Sequence, residues 1–526
     1  MSLSIRVAAI AALFASAELF AAIPADFDAY VAATMAATHA PAFSVAIVEN
    51  GTTTLAKGYG VRKQGEPARA DERTMFPIGS NTKQFTATAL AILVDDGKLS
   101  WDDKVSARLP GFQMYDSYAT GEMTVRDLLT HCSGLGLGEG DLMLFPRTNR
   151  SRQELVEALR YLKPARSFRS GYAYDNVLYV AAGRLVEAVS GQSWESFVRE
   201  RIFKPLGIKD SMVSYEGLKP KANFAWPHVR QGGPNWAIGG EVVALPEIAP
   251  IENISAPAGG ILAGAQDLAK WLNVQLAHGA IAGDKRLFSE AQHVALWNPE
   301  TITPTGPAPK GPLAVIAPMF GAYALGYGVH DYRGHKIVSH GGGWIGGISS
   351  FVMIPELNVG FAVMTNSMET TALKAIELRL LDHYLGFEPT DWLPPLQAAL
   401  NQKAEMAAAI VKAAPSDAQE GPPASLSLDQ YAGVYRDPWY GTVTITQKDK
   451  GLWISFDRSP GFSGALEHVR YDTFRTRWTN PVFEDAYVTF SLKPDASVDR
   501  IAMKAISPLA DFSFDYQDLA LVREGK

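Results

Sequence analysis

The sequence predicts an α/β (α+β) chain: a mixed unit built on a central antiparallel sheet with a helical region inserted into it, followed by an antiparallel β-barrel. Three observations predict this. A strand pair comes early, at 43–49 and 53–58. Helical periodicity then dominates to about residue 278, and strand periodicity returns over 324–365 and again beyond 428. A sheet begun near one end of a unit and finished near the other, with helices between, gives the first part. The short alternating runs of the last hundred or so residues give the second, a small barrel or sandwich. With 526 residues, 47% of them hydrophobic, the chain has enough apolar side chain for two such units and excludes disorder as its main theme.

Taken in order, Arg6, the apolar run 7–14 and Ala15-Ser16-Ala17 read as an export signal over 1–17, with Ala22 a second cleavage candidate and an alanine-rich first helix the alternative. An alanine-rich helix is expected over 26–38. Asn50-Gly51 between two β-rich runs is a tight-hairpin signal. From Ser80, apolar residues at Phe85, Ala89, Leu90 and Leu93 mark a helix that stops at Gly97. Thr124 prepares another, with Val125, Leu128 and Leu129 as its apolar face. Helices are also expected over 177–190, closed by Gly191, and over 266–278.

Two proline-rich stretches, 218–250 and 299–318, lack periodicity and read as walls or lids, because loops of that length in a compact unit are usually functional. Strands are expected at 324–332, 335–340, 346–354 and 360–365, then a helix at 371–385. A helix at 397–413 and a proline-bearing linker at 414–424 lead to β runs at 442–446, 452–456, 473–478, 487–492, 500–506 and 512–516. The resulting division is 25–386 for the first unit, 387–426 for helix and linker, and 427–526 for the barrel.

A net charge of −7 without a long basic run argues against nucleic acid as a partner, and no internal run of eighteen apolar residues suggests a membrane span. The lone Cys132 cannot form an internal disulfide, and its place between Leu128 and Leu135 reads as a buried small side chain. The ten histidines show no paired ligand spacing, so no metal and no cofactor is expected. Oligomeric state stays open.

The chemistry concentrates at Ser80-Asn81-Thr82-Lys83. Ser80 at a helix N-terminus lies beside unpaired N–H groups that favour an oxyanion, and Lys83 follows one turn later on the same face. A desolvated lysine can be pushed toward its neutral form and take the serine proton. Alone, the pair also reads as a helix cap and a solvated lysine. Tyr174 and Asn176, two apart just before the 177–190 helix, would point the same way. A nearby ammonium can lower the Tyr174 phenol pKa and make it a base or an acid, while Asn176 can hold a substrate amide; the alternative is a buried tyrosine with an asparagine cap. His340-Gly341-Gly342-Gly343 ends a strand, where glycines let a ligand backbone approach and the Gly343 N–H can join that of Ser80 in an oxyanion hole. The alternative there is a glycine-rich turn with His340 exposed.

In these motifs the chain resembles the serine β-lactamase and penicillin-binding protein superfamily, in the branch of class C β-lactamases, D-aminopeptidases and related esterases (peptidase family S12). Ser80-x-x-Lys83, Tyr174-x-Asn176 and His340-Gly341-Gly342 stand in that family's order, with matching phrases at 124–131, 258–261 and 364–366, so the resemblance spans about 25 to 385. It implies that Ser80 is acylated, that Lys83 and Tyr174 share its proton and later activate water, and that Asn176 and the strand after His340 hold the acyl part. His131 resembles a structural part of its phrase. The tail beyond Asp429 resembles a lipocalin-like barrel appended to some of these hydrolases.

The antibiotic-degrading members of the family it resembles carry Lys-Thr-Gly or a close variant where this chain has His340-Gly341-Gly342, and a largely neutral His340 anchors a substrate carboxylate poorly. β-Lactamase and D-Ala carboxypeptidase activities are therefore less expected than cleavage of short or D-residue-containing peptides, such as linear fragments of non-ribosomal peptides. Esterase activity would use the same residues. A sensor that acylates without turnover is the contrasting expectation, and the location expected is periplasmic or secreted.

Overall fold

The structure, a computed structural model, describes residues 23–219, 221–248, 251–413 and 422–525. The export-signal reading and most of the expected linker at 414–424 fall outside these residues.

An eight-stranded antiparallel sheet organises the first part of the chain. From edge to edge its strands are Thr52–Gly60, Ala42–Glu49, Val359–Thr365, Gly347–Ile354, His335–Trp344, Gly328–Tyr332, Gly321–Tyr323 and Thr301–Ile302. The hairpin at Asn50-Gly51 thus pairs with strands three hundred residues later, as a sheet closed by both ends requires.

Ala42–Glu49 is buried along its whole length because it is covered on both faces. Its alternate residues divide between two cores. Phe43, Val45 and Ile47 join Phe27, Val31 and Ile376 from helices Phe27–Thr38 and Thr370–Tyr384, whereas Ala42, Ala46 and Val48 join residues of Thr82–Asp95 and Ala265–Leu276. The molecule is therefore layered as helix, sheet, helix. Thr82–Asp95 is buried from Thr82 to Leu93, a helix enclosed on all sides by Val177–Ser190, 256–259 and Trp271.

Several elements differ from expectation. The segment after Thr124 is a short 3-10 turn, Asp127–Leu129, because the Asp127 carboxylate accepts both the backbone N–H and the hydroxyl of Thr124 and closes a tight local loop. The expected strand 324–332 is two, Gly321–Tyr323 and Gly328–Tyr332, parted by a turn at Gly326 (φ +87°). The stretch 218–250 contains a hairpin, His228–Gln231 with Glu241–Ala244.

The C-terminal part is a closed antiparallel barrel of eight strands: Gly433–Asp437, Gly441–Lys448, Gly451–Phe456, Ser463–Arg470, Thr473–Trp478, Ala486–Leu492, Val498–Ala505 and Leu521–Arg523. Its core combines aromatic residues, among them Tyr435, Phe456, Phe474, Trp478 and Phe490, with aliphatic ones such as Val443, Ile445, Leu452 and Ile454. The run 512–516, expected as a strand, is not one. Its alternating Phe512, Phe514 and Tyr516 belong to a loop that turns toward the first sheet, where Phe514 meets Phe145 at 4.9 Å between ring centres.

Candidate active site

Gly79–Asn81 forms a 3-10 turn that runs directly into Thr82–Asp95, so Ser80 stands at the mouth of the buried helix and Lys83 one turn inside it. Gly79 has φ +51°, and a Cβ there would lie 2.5 Å from the Gly343 nitrogen. The turn bearing Ser80 is thereby pressed against the end of His335–Trp344. A Cβ on Gly342 would fall 1.9 Å from the Ile78 carbonyl oxygen, which the Ser349 hydroxyl also holds at 2.7 Å. Gly342 is therefore required by the protein's own backbone rather than by a ligand. Gly341, with nothing nearer than 4.0 Å, and Gly343, with only Ile348 at 3.8 Å, leave the open strand face.

The Lys83 Nζ is fully enclosed and lies 3.0 Å from Ser80 Oγ, 2.7 Å from Asn176 Oδ1 and 3.0 Å from the Ala258 carbonyl. Burial pulls its ammonium down to about 7, against the opposing pull of Asp141 and Asp175. Tyr174 hydrogen-bonds Ser80, and its ring lies 4.9 Å below the Lys83 nitrogen. Its phenol pKa is nevertheless raised well above the usual value, because burial outweighs the hydrogen bond to Ser80. The expectation that the ammonium would lower it is corrected: Tyr174 keeps its proton in the resting site.

Asn176 precedes Val177–Ser190 without bonding its side chain to the helix backbone; it points Oδ1 at Lys83 while its Nδ2 donates to Asp141 Oδ2 at 2.8 Å. His340 is buried, not exposed, with Nε2 2.7 Å from the Tyr323 hydroxyl, and burial with the nearby Lys83 brings it down to about 3. It is neutral across the physiological range. His131 is enclosed against the Tyr174 ring, and its Nδ1 accepts the Asp175 N–H at 3.1 Å, which fixes the loop carrying Tyr174. Cys132 is buried, and burial pushes its thiol up to about 12.

The sequence-predicted residues thus meet in one cleft of about 520 Å³, lined by Ser80, Tyr174, Asn176 and the 340–343 strand. Sequence reading missed several of its other walls, among them Asp141, Tyr323, Phe512 and Ser513. Asp141 had a faint signal, an acidic pair with Glu139 set before the apolar run 142–145. Trp236, from the stretch expected to be a wall, does line the cleft. Among the described lining residues there is no arginine or lysine, and the charged side chains are Asp141 and Asp511. Among the described residues no group of three or more His, Cys, Asp or Glu side chains is arranged to hold a metal ion, and no helix is long and apolar enough to cross a membrane.

Comparison with known proteins places this geometry in context. Residues 27–385 match the family described as Beta-lactamase, and 417–523 match one described as a domain of unknown function. The chain is 30% identical to an unguisins hydrolase of Aspergillus campestris over 457 residues, covering 82% of this chain and 79% of that one. It is 28% identical to penicillin-binding protein 4 of Amycolatopsis lactamdurans, covering 68% of this chain and 90% of the other. In fold it is similar to an octameric penicillin-binding protein homologue from Pyrococcus abyssi, with a TM-score of 0.57 at 22% identity over 91% of this chain and 98% of that one. It is also similar to a D-amino acid amidase of Ochrobactrum anthropi SV3, with a TM-score of 0.53 at 22% identity over 69% and 98%.

Proposed function

The chain belongs to the beta-lactamase family, and from that premise we propose that it is a serine hydrolase that forms an acyl-enzyme on Ser80 and acts on amide bonds of short linear or D-residue-containing peptides. The observation that carries this reading is the contact of Ser80 with both Lys83, at 3.0 Å, and the Tyr174 hydroxyl.

In this reading neutral Lys83 takes the Ser80 proton as Oγ attacks the substrate carbonyl. The tetrahedral oxyanion forms against the backbone N–H groups of Ser80 and Gly343. As it collapses, the C–N bond breaks and the leaving amine takes a proton from Tyr174, which recovers one from the Lys83 ammonium. Tyr174 acts as a relay, not as a phenolate, because its burial holds the proton. Water then repeats the sequence at the ester: Lys83 and Tyr174 remove its proton, and Ser80 regains one on release.

The lining argues for the substrate class. With His340 neutral and no arginine or lysine among the described lining residues, a substrate carboxylate gains no ionic anchor here. Leu144, Phe145, Tyr172, Trp236 and Trp344 favour an apolar or aromatic acyl side chain. The relatives named as unguisins hydrolases support hydrolysis as the outcome rather than a lasting adduct. The test compares turnover of a D-amino-acid p-nitroanilide, a linear D-containing peptide, a p-nitrophenyl ester and nitrocefin. The proposal expects the first two to be cleaved with higher kcat/KM than nitrocefin. Turnover of nitrocefin alone, or of the ester alone, would replace it with the β-lactamase or esterase reading. An adduct that persists for hours would replace it with a sensor.

A further inference from the structure

The loop 511–515 of the barrel enters the cleft with Asp511, Phe512 and Ser513. Ser513 Oγ donates to Asp141 Oδ2 at 2.8 Å, the same oxygen that accepts from Asn176 Nδ2 at 2.8 Å. Asn176 in turn presents Oδ1 to Lys83 at 2.7 Å, and Lys83 meets Ser80 at 3.0 Å. A continuous hydrogen-bonded chain therefore runs from a barrel serine to the nucleophile. The second Asp141 oxygen, Oδ1, is buried without a hydrogen-bond partner, so the carboxylate leans on Ser513 and Asn176. Two residues on, Asp515 grips the backbone of the Asp141 turn, accepting from Gly140 N at 2.6 Å and Leu142 N at 2.9 Å. Phe512 packs edge-on against Tyr174, 5.9 Å between ring centres.

We infer that Ser513 is a positioning residue for the Lys83 base, acting through Asp141 and Asn176, and that the C-terminal barrel is in this way part of the catalytic apparatus. The inference rests on the serine-hydrolase reading above. The donor from Ser513 favours the charged form of Asp141, and the Asp141 charge favours the Lys83 ammonium and fixes which end of the Asn176 amide faces it. Losing the donor makes Asp141 easier to neutralise and Lys83 easier to deprotonate, while loosening Asn176. The other charged and titratable groups around the chain are Asp175 facing Lys83, Asp511 and Asp515 facing Asp141, the imidazoles of His131 and His340, and the Tyr174 and Tyr179 rings flanking the ammonium.

The experiment is the pH profile of kcat/KM for p-nitrophenyl butyrate in wild type, Ser513→Ala, Ser513→Thr, Asp141→Asn and the double variant Ser513→Ala/Asp141→Asn, each checked for an unchanged melting temperature. The acid limb should move to lower pH by roughly half a unit or more in Ser513→Ala, return in Ser513→Thr, and move further in Asp141→Asn. In the Asp141→Asn background the serine substitution should add nothing, since its route is gone. A Ser513→Ala profile that keeps the wild-type midpoint, or a serine effect that persists without Asp141, overturns the inference. A melting temperature lowered in Ser513→Ala with the midpoint unmoved makes the contact structural and also overturns it. Wild-type enzyme that never acylates on Ser80 overturns the hydrolase reading itself, a result distinguishable because it appears before any variant is compared.

Discussion

At Lys83 the decisive quantity is desolvation. A fully enclosed lysine with three polar neighbours loses its usual preference for the charged form, and its pKa falls to about 7. In the proposed mechanism the base is the neutral amine, so activity falls about tenfold per pH unit below that value and levels off above it: kcat/KM for any acyl substrate is expected to climb with an apparent pKa near 7. Lys83→Ala should lower kcat by about 10³-fold while leaving KM little changed. The glycines of the adjoining strand separate by a different physical cause. Gly342→Ala drives a Cβ into the Ile78 carbonyl and should cost about 1–3 kcal/mol together with activity, whereas Gly341→Ala meets open space and should fold as wild type. Thermal melts of the two variants check this. Ser80, Lys83, Tyr174, Asn176 and His340 were legible because their types and spacings carry the chemistry locally. Asp141 and Ser513 were not, because the contact that joins them at the cleft spans 372 positions of the chain.

At the scale of elements, the buried helix Thr82–Asp95 holds the nucleophile turn by packing rather than by capping. Phe85 stacks on Trp271 at 3.7 Å between ring centres, and the Trp271 indole N–H donates to Gln84 at 3.0 Å. Trp271→Ala removes both and should destabilise by about 3–5 kcal/mol, read as a shift in the denaturation midpoint, with Trp271→Phe recovering the stacking part. Helix 177–190 was legible to the residue because its apolar stripe is strong and Gly191 ends it in the left-handed region. The turn after Thr124 was misread because an aspartate that bonds back to the backbone two or three residues away competes with helix and leaves the apolar pattern unchanged. The 512–516 run was misread for a similar reason: alternation of aromatic residues says that one side is buried, not that a strand is what buries it.

At the scale of the whole molecule, the first sheet and the barrel meet across a seam rich in buried carboxyls. Burial pushes Glu139 and Asp141 each up to about 7, and Asp515 well above its ordinary value. A carboxyl whose folded pKa exceeds its unfolded one contributes stability that is full below the unfolded value and is lost as pH rises through the folded value. For Glu139 that window runs from 4.5 to about 7. Glu139→Gln keeps the acceptor for the Gly136 N–H and cannot ionise. Its stability relative to wild type should therefore be level near pH 4.5 and improve toward pH 7 by on the order of 3 kcal/mol, measured as the difference between the two denaturation curves at each pH. The barrel was legible as β structure from its alternation, but its reach into the cleft was not, since the alternating run 512–516 does not say which partner it meets until its neighbours are known.

The central claim is that Ser80 becomes covalently acylated with Lys83 as its base, and intact-mass spectrometry of rapidly quenched reactions with a p-nitrophenyl ester tests it most directly. A single acyl increment is expected that maps to the peptide bearing Ser80, appears faster as pH rises through about 7, and is absent in Ser80→Ala. Turnover without any increment on that peptide, or hydrolysis that survives in Ser80→Ala, would contradict it.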